Sequence, residues 1–164
     1  MADLHQLPIG QGTLSLFTNE QGGIIDDTII MQQQDSLYVV SNAACADKDL
    51  AHIRKHLAEF QNKGFDVDFN VIQDHSLIAL QGPKAAEALE GLVGKSLEDF
   101  SFMHGRQMDI AGVPCHVARS GYTGEDGFEV SGDIWIHPKL TLYFTAFDSY
   151  RGNQYTHRKI TGSS

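Results

Sequence analysis

Apolar residues recur along this chain with two different periods, and each period predicts a different element. Through residues 65–71 every second residue is apolar, which is typical of a half-buried strand. Residues 50–60 place their apolar side chains three or four positions apart, which predicts a helix with one apolar face. Asp47 is of a type that caps helices, and Gly64 is of a type that ends them. The two patterns together predict a helix that is followed closely by a strand.

Shorter apolar runs predict the remaining elements. We expect strands over residues 13–18, 24–31, 36–40, 76–81, 107–110, 113–119 and 128–131. A turn is expected over residues 19–23, and a hairpin is expected around Ala111-Gly112. A second helix is expected over residues 82–92, and a short third helix near residue 96. From residue 36 the order is strand, helix, strand, strand, helix, strand, which matches a split βαβ arrangement. The predicted fold class is therefore α+β, with antiparallel sheets and helices on one face.

Composition narrows the classes of protein that this chain can represent. The 164 residues are 41% hydrophobic, which is enough for one packed domain. No apolar run approaches the roughly 20 residues that a membrane span needs, and the start resembles neither a signal nor a transit peptide. Because Cys45 and Cys115 are far apart and few, we expect free thiols and a reducing compartment rather than a disulfide scaffold.

Charge excludes one class of partner and suggests a boundary. The net charge of −9 argues against nucleic acid, whose phosphates require a basic surface. Residues 1–131 hold 8 Lys+Arg and 19 Asp+Glu, whereas residues 132–164 hold 4 and 2. The balance thus changes from −11 to +2 near Gly132. We therefore expect a folded region over residues 1–131 and a tail of different character over residues 132–164.

The segment 119–129, Arg-Ser-Gly-Tyr-Thr-Gly-Glu-Asp-Gly-Phe-Glu, contains three glycines at a spacing of three. Glycine at every third position lets the backbone approach another group closely. The flanking acids and the tyrosine supply groups that could bind a polar, planar ligand. The alternative is a glycine-rich hairpin between two strands, and composition alone does not separate the two interpretations.

Asp26 and Asp27 are adjacent acids within a β-branched run. Neighbours on a strand point to opposite faces, so one of the two is expected to face inward or into a cleft. The alternation does not show which one, because apolar residues lie on both sides. A carboxylate held among isoleucines is desolvated, which raises its pKa and suits it to proton handling. The alternative is an acid at a strand end that bonds to a turn.

Four segments in a fixed order resemble a known family. They are Gly-Gly-Ile-Ile-Asp-Asp from residue 22, Tyr-Val-Val-Ser-Asn from residue 38, Leu-Gln-Gly-Pro from residue 80, and Ser-Gly-Tyr-Thr-Gly-Glu-Asp-Gly-Phe-Glu from residue 120. In all four the chain resembles the aminomethyltransferase (T-protein) of the glycine cleavage system. Folate-binding relatives that assist iron–sulfur assembly carry a cysteine-containing loop where this chain has Gly-Tyr-Thr-Gly-Glu, so they are not expected.

The resemblance implies a folate enzyme of glycine catabolism and one-carbon metabolism. The family takes an aminomethyl group from the lipoyl arm of its partner, the H-protein, releases ammonia, and transfers the carbon to tetrahydrofolate. Asp27 matches the catalytic aspartate, which activates the folate nitrogen and stabilises the cationic iminium. Asn42 matches a folate contact, and Tyr122 and Glu129 match pterin-binding positions. Arg119 is a further candidate for folate binding, with a surface arginine as the alternative.

The resemblance covers roughly residues 3–131, which is part of the family's folate-binding region. We expect a truncated form with less than full activity; the alternative is a non-catalytic fragment that binds folate or docks onto partners. The implied location is the mitochondrial matrix in a eukaryote and the cytoplasm otherwise. His52 and His56 have a zinc-binding spacing on the first helix, but a third ligand is not evident, so no metal is expected.

Overall fold

The computed structural model describes residues 3–133 and the backbone of residues 159–160. The described residues fall into two compact units, one within residues 1–73 and the other within residues 74–161. The first unit contains one antiparallel sheet and one α-helix, and the second contains another antiparallel sheet and another helix. The predicted α+β class is confirmed, although its elements are divided between two sheets. In the described part, no helix has the length and apolar character to cross a membrane.

The first unit is built on a three-stranded sheet in the order β1-β2-β3. Its strands are β1 (Gly12–Thr18), β2 (Ile24–Gln32) and β3 (Leu37–Ser41). The predicted turn between β1 and β2 is held by Asn19, whose Oδ1 accepts from the backbone N–H of Gly23 at 2.7 Å. As the central strand, β2 contributes the buried side chains of this sheet, Thr28 to Met31.

Helix α1 (Ala46–Asn62) follows β3 after a single-turn 3-10 helix (Ala43–Cys45). The prediction that Asp47 caps this helix is wrong, because the cap position is Cys45 and Asp47 lies within the first turn. The predicted end is confirmed, since Gly64 adopts a left-handed φ of +85° beyond the last turn. The helix macrodipole still favours the acids in the first turn, because the N-terminus carries partial positive charge.

The strand predicted over residues 65–71 is wrong. This segment pairs with no strand in the described part of the chain, and three of its four apolar side chains are exposed. Alternation alone does not make a strand, because the ladder hydrogen bonds need a neighbouring strand. The segment instead continues from α1 as irregular chain, and its backbone contacts include the bond from Gln61 Nε2 to the carbonyl of Val67 at 2.9 Å.

The second unit is a five-stranded antiparallel sheet in the order β5-β6-β7-β4-β8. Its strands are β4 (His75–Gln81), β5 (Gly105–Ile110), β6 (Val113–Ala118), β7 (Gly127–Asp133) and β8 (Lys159–Ile160). The predicted hairpin between β5 and β6 is confirmed, and its two loop residues, Ala111 and Gly112, both have positive φ. β7 extends two residues beyond the boundary predicted at residue 131.

Helix α2 (Ala85–Val93) packs on this sheet and closes the main hydrophobic core. The core joins buried side chains of the helix, of four strands and of the connection that follows the helix: Ile78, Leu80, Ala85, Ala88, Leu89, Leu97, Phe100, Met108, Ile110, Cys115, Val117, Phe128 and Val130. The short third helix predicted near residue 96 is wrong, because residues 98–99 form a turn within irregular chain. Glu90 Oε1 stabilises that turn by accepting from the backbone N–H of Leu97 at 2.7 Å.

Candidate functional site

One amide joins the two adjacent acids of β2. The side-chain nitrogen of Asn42 lies 2.8 Å from Oδ1 of Asp27 and 3.2 Å from each carboxylate oxygen of Asp26. Asn42 occupies the cap position of the short 3-10 helix, yet its side chain makes no capping bond. The residue after β3 therefore serves the acids of β2 rather than the helix that it precedes, and the structure brings the predicted Asp27 and Asn42 together.

The register of the sheet places the two acids on opposite faces. Asp26 lies opposite Phe17 in the β1–β2 ladder, and the ring of Phe17 is 5.9 Å from that of His52 on α1. Asp26 consequently lies on the face that α1 covers, while Asp27 lies on the other face, opposite Leu16. The register therefore shows that Asp26 is the acid that faces inward, toward the helix, which the alternation of residues did not decide.

A third carboxyl group, Asp49, completes the cluster, and the sequence analysis missed it. Asp49 lies in the first turn of α1 and is 1% exposed. The sequence did indicate that Asp49 is buried, because residues 49, 53 and 57 lie on one face of the helix and the other two are apolar. An acid in an apolar stripe is a group that the fold buries, and this one faces Asp26.

The pKa values of the two interacting acids in this cluster, Asp26 and Asp49, are shifted in opposite directions. Burial raises the pKa of Asp49 to about 6, and the neighbouring Asp26 adds to the effect. Burial opposes ionisation of Asp26 as well, but hydrogen bonds from Asn42 and Asp49 outweigh it and hold the pKa of Asp26 below its ordinary value. The raised pKa that was predicted for a carboxyl group in this strand therefore belongs to Asp49 on the helix, because the strand acid is stabilised by donors.

The glycine-rich segment of the second unit encloses a side chain of its own protein. A methyl group built on Gly121 or Gly127 would overlap the amide of Gln81. Gln81 is 5% exposed; its amide nitrogen donates to the carbonyl of Ser120 at 2.9 Å, while Thr123 Oγ1 donates to its amide oxygen at 3.3 Å. The close approach predicted for these glycines is therefore confirmed, and the group approached is an internal glutamine.

Arg119 holds the glycine-rich segment in place by binding Asp126. Its Nε and one terminal nitrogen donate to the two carboxylate oxygens of Asp126 at 2.8 and 2.6 Å. The other terminal nitrogen donates to the carbonyls of Phe100 at 2.6 Å and Leu97 at 3.3 Å. The ion pair raises the pKa of Arg119 and lowers that of Asp126. The guanidinium thus holds the loop in place, and its role in binding folate stays a prediction.

Glu129 and Tyr122 present groups that a ligand can reach. Glu129 lies in the middle of β7, opposite Ala79 and Ala118, and is partly exposed. Ser120 Oγ donates to its Oε2 at 2.7 Å, which fixes one carboxylate oxygen. Tyr122, in the loop before β7, is 71% exposed. A positioned carboxylate and an exposed aromatic ring suit a ligand with a hydrogen-bonding edge and a flat face.

The histidine pair on α1 forms a ring contact. The rings of His52 and His56 are 4.6 Å apart in an edge-on arrangement, and His56 Nδ1 lies 3.2 Å from Glu59. Within the residues that the structure describes, no group of three His, Cys, Asp or Glu side chains is arranged to hold a metal ion. Both cysteines are free, and Cys115 is buried.

Residues 1–141 match the family model described as the GCVT N-terminal domain. The mitochondrial aminomethyltransferase of Dictyostelium discoideum is 52% identical over 134 residues, which are 80% of this chain and 33% of that protein. That of Mus musculus is 49% identical over 133 residues, with coverage of 80% and 33%. The crystal structure of glycine cleavage system aminomethyltransferase T from Bartonella henselae matches with a TM-score of 0.65 and 34% identity, over 84% of this chain and 36% of that one. The chain spans about a third of the length of these relatives.

Proposed function

The chain belongs to the GCVT N-terminal domain family of aminomethyltransferases, and from this premise we propose that it binds tetrahydrofolate and carries the acid that catalyses aminomethyl transfer. The substrates are tetrahydrofolate and an aminomethyl group bound to a sulfur of the lipoyl arm. As the carbon–sulfur bond breaks, the products are 5,10-methylenetetrahydrofolate, ammonia and the lipoyl arm in its dithiol form. The observation that supports this most is the 2.8 Å contact between Asn42 and Asp27. Two residues that are 15 positions apart and were predicted for the same ligand are joined directly.

In this proposal Asp27 is the catalytic residue. Its carboxylate accepts a hydrogen bond from the folate nitrogen, which orients that nucleophile toward the aminomethyl carbon. Loss of ammonia then generates a cationic iminium, and a fixed anion nearby stabilises the developing positive charge. Asn42 holds one oxygen of Asp27 and leaves the other oxygen available to the substrate.

We assign pterin recognition to Glu129 and Tyr122. Glu129 is suited to accept hydrogen bonds from the aminopyrimidine edge, because Ser120 already fixes its carboxylate. Tyr122 supplies an exposed ring that can contact the flat face of the pterin. Arg119 acts through its bidentate contact with Asp126, which holds the loop that carries Tyr122. The loop is thereby ordered before the ligand arrives.

The proposed partner is the lipoyl-bearing H-protein of glycine cleavage. The curated relatives are named mitochondrial aminomethyltransferases, so we propose the mitochondrial matrix as the location.

Calorimetric titration with tetrahydrofolate tests the proposal, with transfer from aminomethyl-lipoyl H-protein as a second assay. We expect Asp27→Asn to keep most of the affinity, because the amide has the same shape, but to abolish methylene transfer. Glu129→Ala should weaken binding at least about tenfold, since a hydrogen bond to a charged group contributes roughly 1.5–3 kcal/mol. Circular dichroism checks that each variant folds.

Glu125→Gln is the matched control, because it neutralises an exposed acid in the loop that carries Tyr122. Its affinity should equal that of the unaltered chain. An absence of binding heat at high protein concentration would refute the proposed function, and equal affinities of Glu129→Ala and Glu125→Gln would refute the pterin assignment. Binding without transfer in the unaltered chain would favour a folate-binding fragment that does not catalyse.

A further inference from the structure

Asp49 is the single buried residue of the 17-residue helix α1. Neither of its carboxyl oxygens has a hydrogen-bond donor among the groups of residues 3–133. A carboxylate in such a place loses its hydration without gaining donors, which is costly. The apolar residues of the same helix, in contrast, are half-buried or exposed. The helix therefore directs an acid, rather than a hydrophobic residue, into its most enclosed position.

The group that faces Asp49 is another carboxyl, that of Asp26. Two carboxyl groups form a hydrogen bond only when one of them carries a proton. The other partners of Asp26, which are Asn42, Cys45 and the backbone of Asp27, all donate to it. Asp26 is consequently the acceptor, and below the pKa of Asp49 the shared proton resides on Asp49.

We propose that Asp49, as a neutral acid, donates a hydrogen bond to Asp26 and thereby positions Asp27 through the shared amide of Asn42. The chain of contacts runs from the helix-covered face of the sheet to the opposite face. Asp49 fixes the Asp26 carboxylate, Asp26 fixes the Asn42 amide, and Asn42 fixes Oδ1 of Asp27. Asp49 is thus a positioning residue, and its effect on catalysis rests on the function proposed for Asp27.

The arrangement responds to pH because the shared proton can be lost. Burial and Asp26 raise the pKa of Asp49 to about 6, so above this pH two carboxylates face each other. The charged groups around Asp49 are Asp26 and Asp27 on β2 and Lys48 on its own helix. Lys48 Nζ donates to the carbonyl of Ile25. Its positive charge lowers the pKa of Asp49 and so opposes the repulsion between the two carboxylates. Loss of the proton should release Asp26 and, with it, the amide of Asn42.

Carboxyl and amide NMR of the full chain tests this directly between about pH 5 and pH 8. We expect the Asp49 carboxyl carbon to titrate near pH 6. The side-chain N–H signals of Asn42 should shift with the same midpoint, because they report the hydrogen bonds from this amide to Asp26 and Asp27. In Asp49→Asn the new amide can donate to Asp26 at every pH, so the Asn42 shift near pH 6 should disappear while the fold is kept.

Asp47→Asn is the control, because Asp47 is an exposed acid in the same helical turn. It should leave the titrations of Asp49 and Asn42 unchanged. Titration of Asp49 near the ordinary aspartate value in the unaltered chain would overturn the proposal, even if a variant failed to fold. A pH shift of Asn42 that persists in Asp49→Asn would overturn it equally.

Tetrahydrofolate affinity gives the functional readout. We expect it to fall severalfold in the unaltered chain as pH rises through the Asp49 transition, and to stay constant over that range in Asp49→Asn. A structural role alone would lower stability without moving this profile. If no variant binds folate, the function proposed for Asp27 fails while the NMR titration still decides the carboxyl pair. If folate binds with the same pH profile in both proteins, positioning by Asp49 is refuted.

Discussion

Gln81 occupies the space that two glycines of the segment 119–129 leave open. Its amide contacts both Gly121 and Gly127 and satisfies backbone groups on either side of the loop. Gly124 is required for a different reason: its φ of +76° lies in the left-handed region, which favours glycine, while the space beside it is free. The regular spacing of three therefore combines two unrelated requirements, close packing and backbone conformation.

Gly127→Ala should lower the free energy of unfolding by about 1–3 kcal/mol, because the added methyl group overpacks against a buried side chain. Chemical denaturation measures this cost. In a Gln81→Ala background the same substitution should cost much less, since the overlapping atoms are gone. Equal costs in the two backgrounds would show that Gly127 is not selected by its contact with Gln81.

At the scale of elements, partners decide which apolar patterns become regular structure. The run at residues 113–118 forms β6 because β5 and β7 lie on its two sides. The alternating run at residues 65–71 has no such neighbour in the described part of the chain and stays irregular. Val67 in that run is 40% exposed, whereas Val117 in β6 is 0% exposed. The same residue type therefore contributes differently in the two places.

Val67→Ser should change the free energy of unfolding by about 0.5 kcal/mol or less, as exposed substitutions do. Val117→Ser should cost roughly 2–4 kcal/mol, because it opens a cavity and buries a hydroxyl. Denaturant titrations of both variants compare one substitution at an exposed and a buried site. A cost of Val67→Ser close to that of Val117→Ser would mean that residues 65–71 are buried in solution.

For the whole molecule, buried and exposed apolar residues are divided unequally between the two units. Of the 17 buried hydrophobic residues, 14 belong to the second unit and three to the first, among the residues described. Ten of the twelve large exposed hydrophobic residues lie in the first unit. Since apolar burial provides most of the free energy of folding, the second unit should be the more stable.

Native-state hydrogen exchange should show this difference. We expect the amides of β4, β6 and β7 to be protected up to the global free energy of unfolding, and those of β1–β3 to exchange through lower-energy openings. Increasing denaturant should remove protection from β1–β3 first. Matching exchange free energies in the two sheets would contradict the prediction and indicate a single cooperative unit.

The sequence by itself determined the α+β class, most strand positions, the end of α1 and the hairpin at Ala111. These features depend on local periodicity and turn chemistry, which act over a few neighbouring residues. It also predicted Asp27 and Asn42 as site residues, because motifs in a fixed order carried a family resemblance, and the structure joins these two side chains directly. The catalytic role of Asp27, the roles of Asn42, Tyr122, Glu129 and Arg119 in folate binding, and the boundary at residue 131 stay predictions.

Only the tertiary structure decided which groups meet across long separations in the chain. Asp49 meets Asp26 because α1 folds back over one face of the sheet, and Gln81 meets two glycines some 40 residues away because β4 lies beside β7. It also showed that Arg119 serves an internal ion pair. Burial, proton sharing and close packing depend on which neighbours the fold supplies, and a local pattern carries no information about those neighbours.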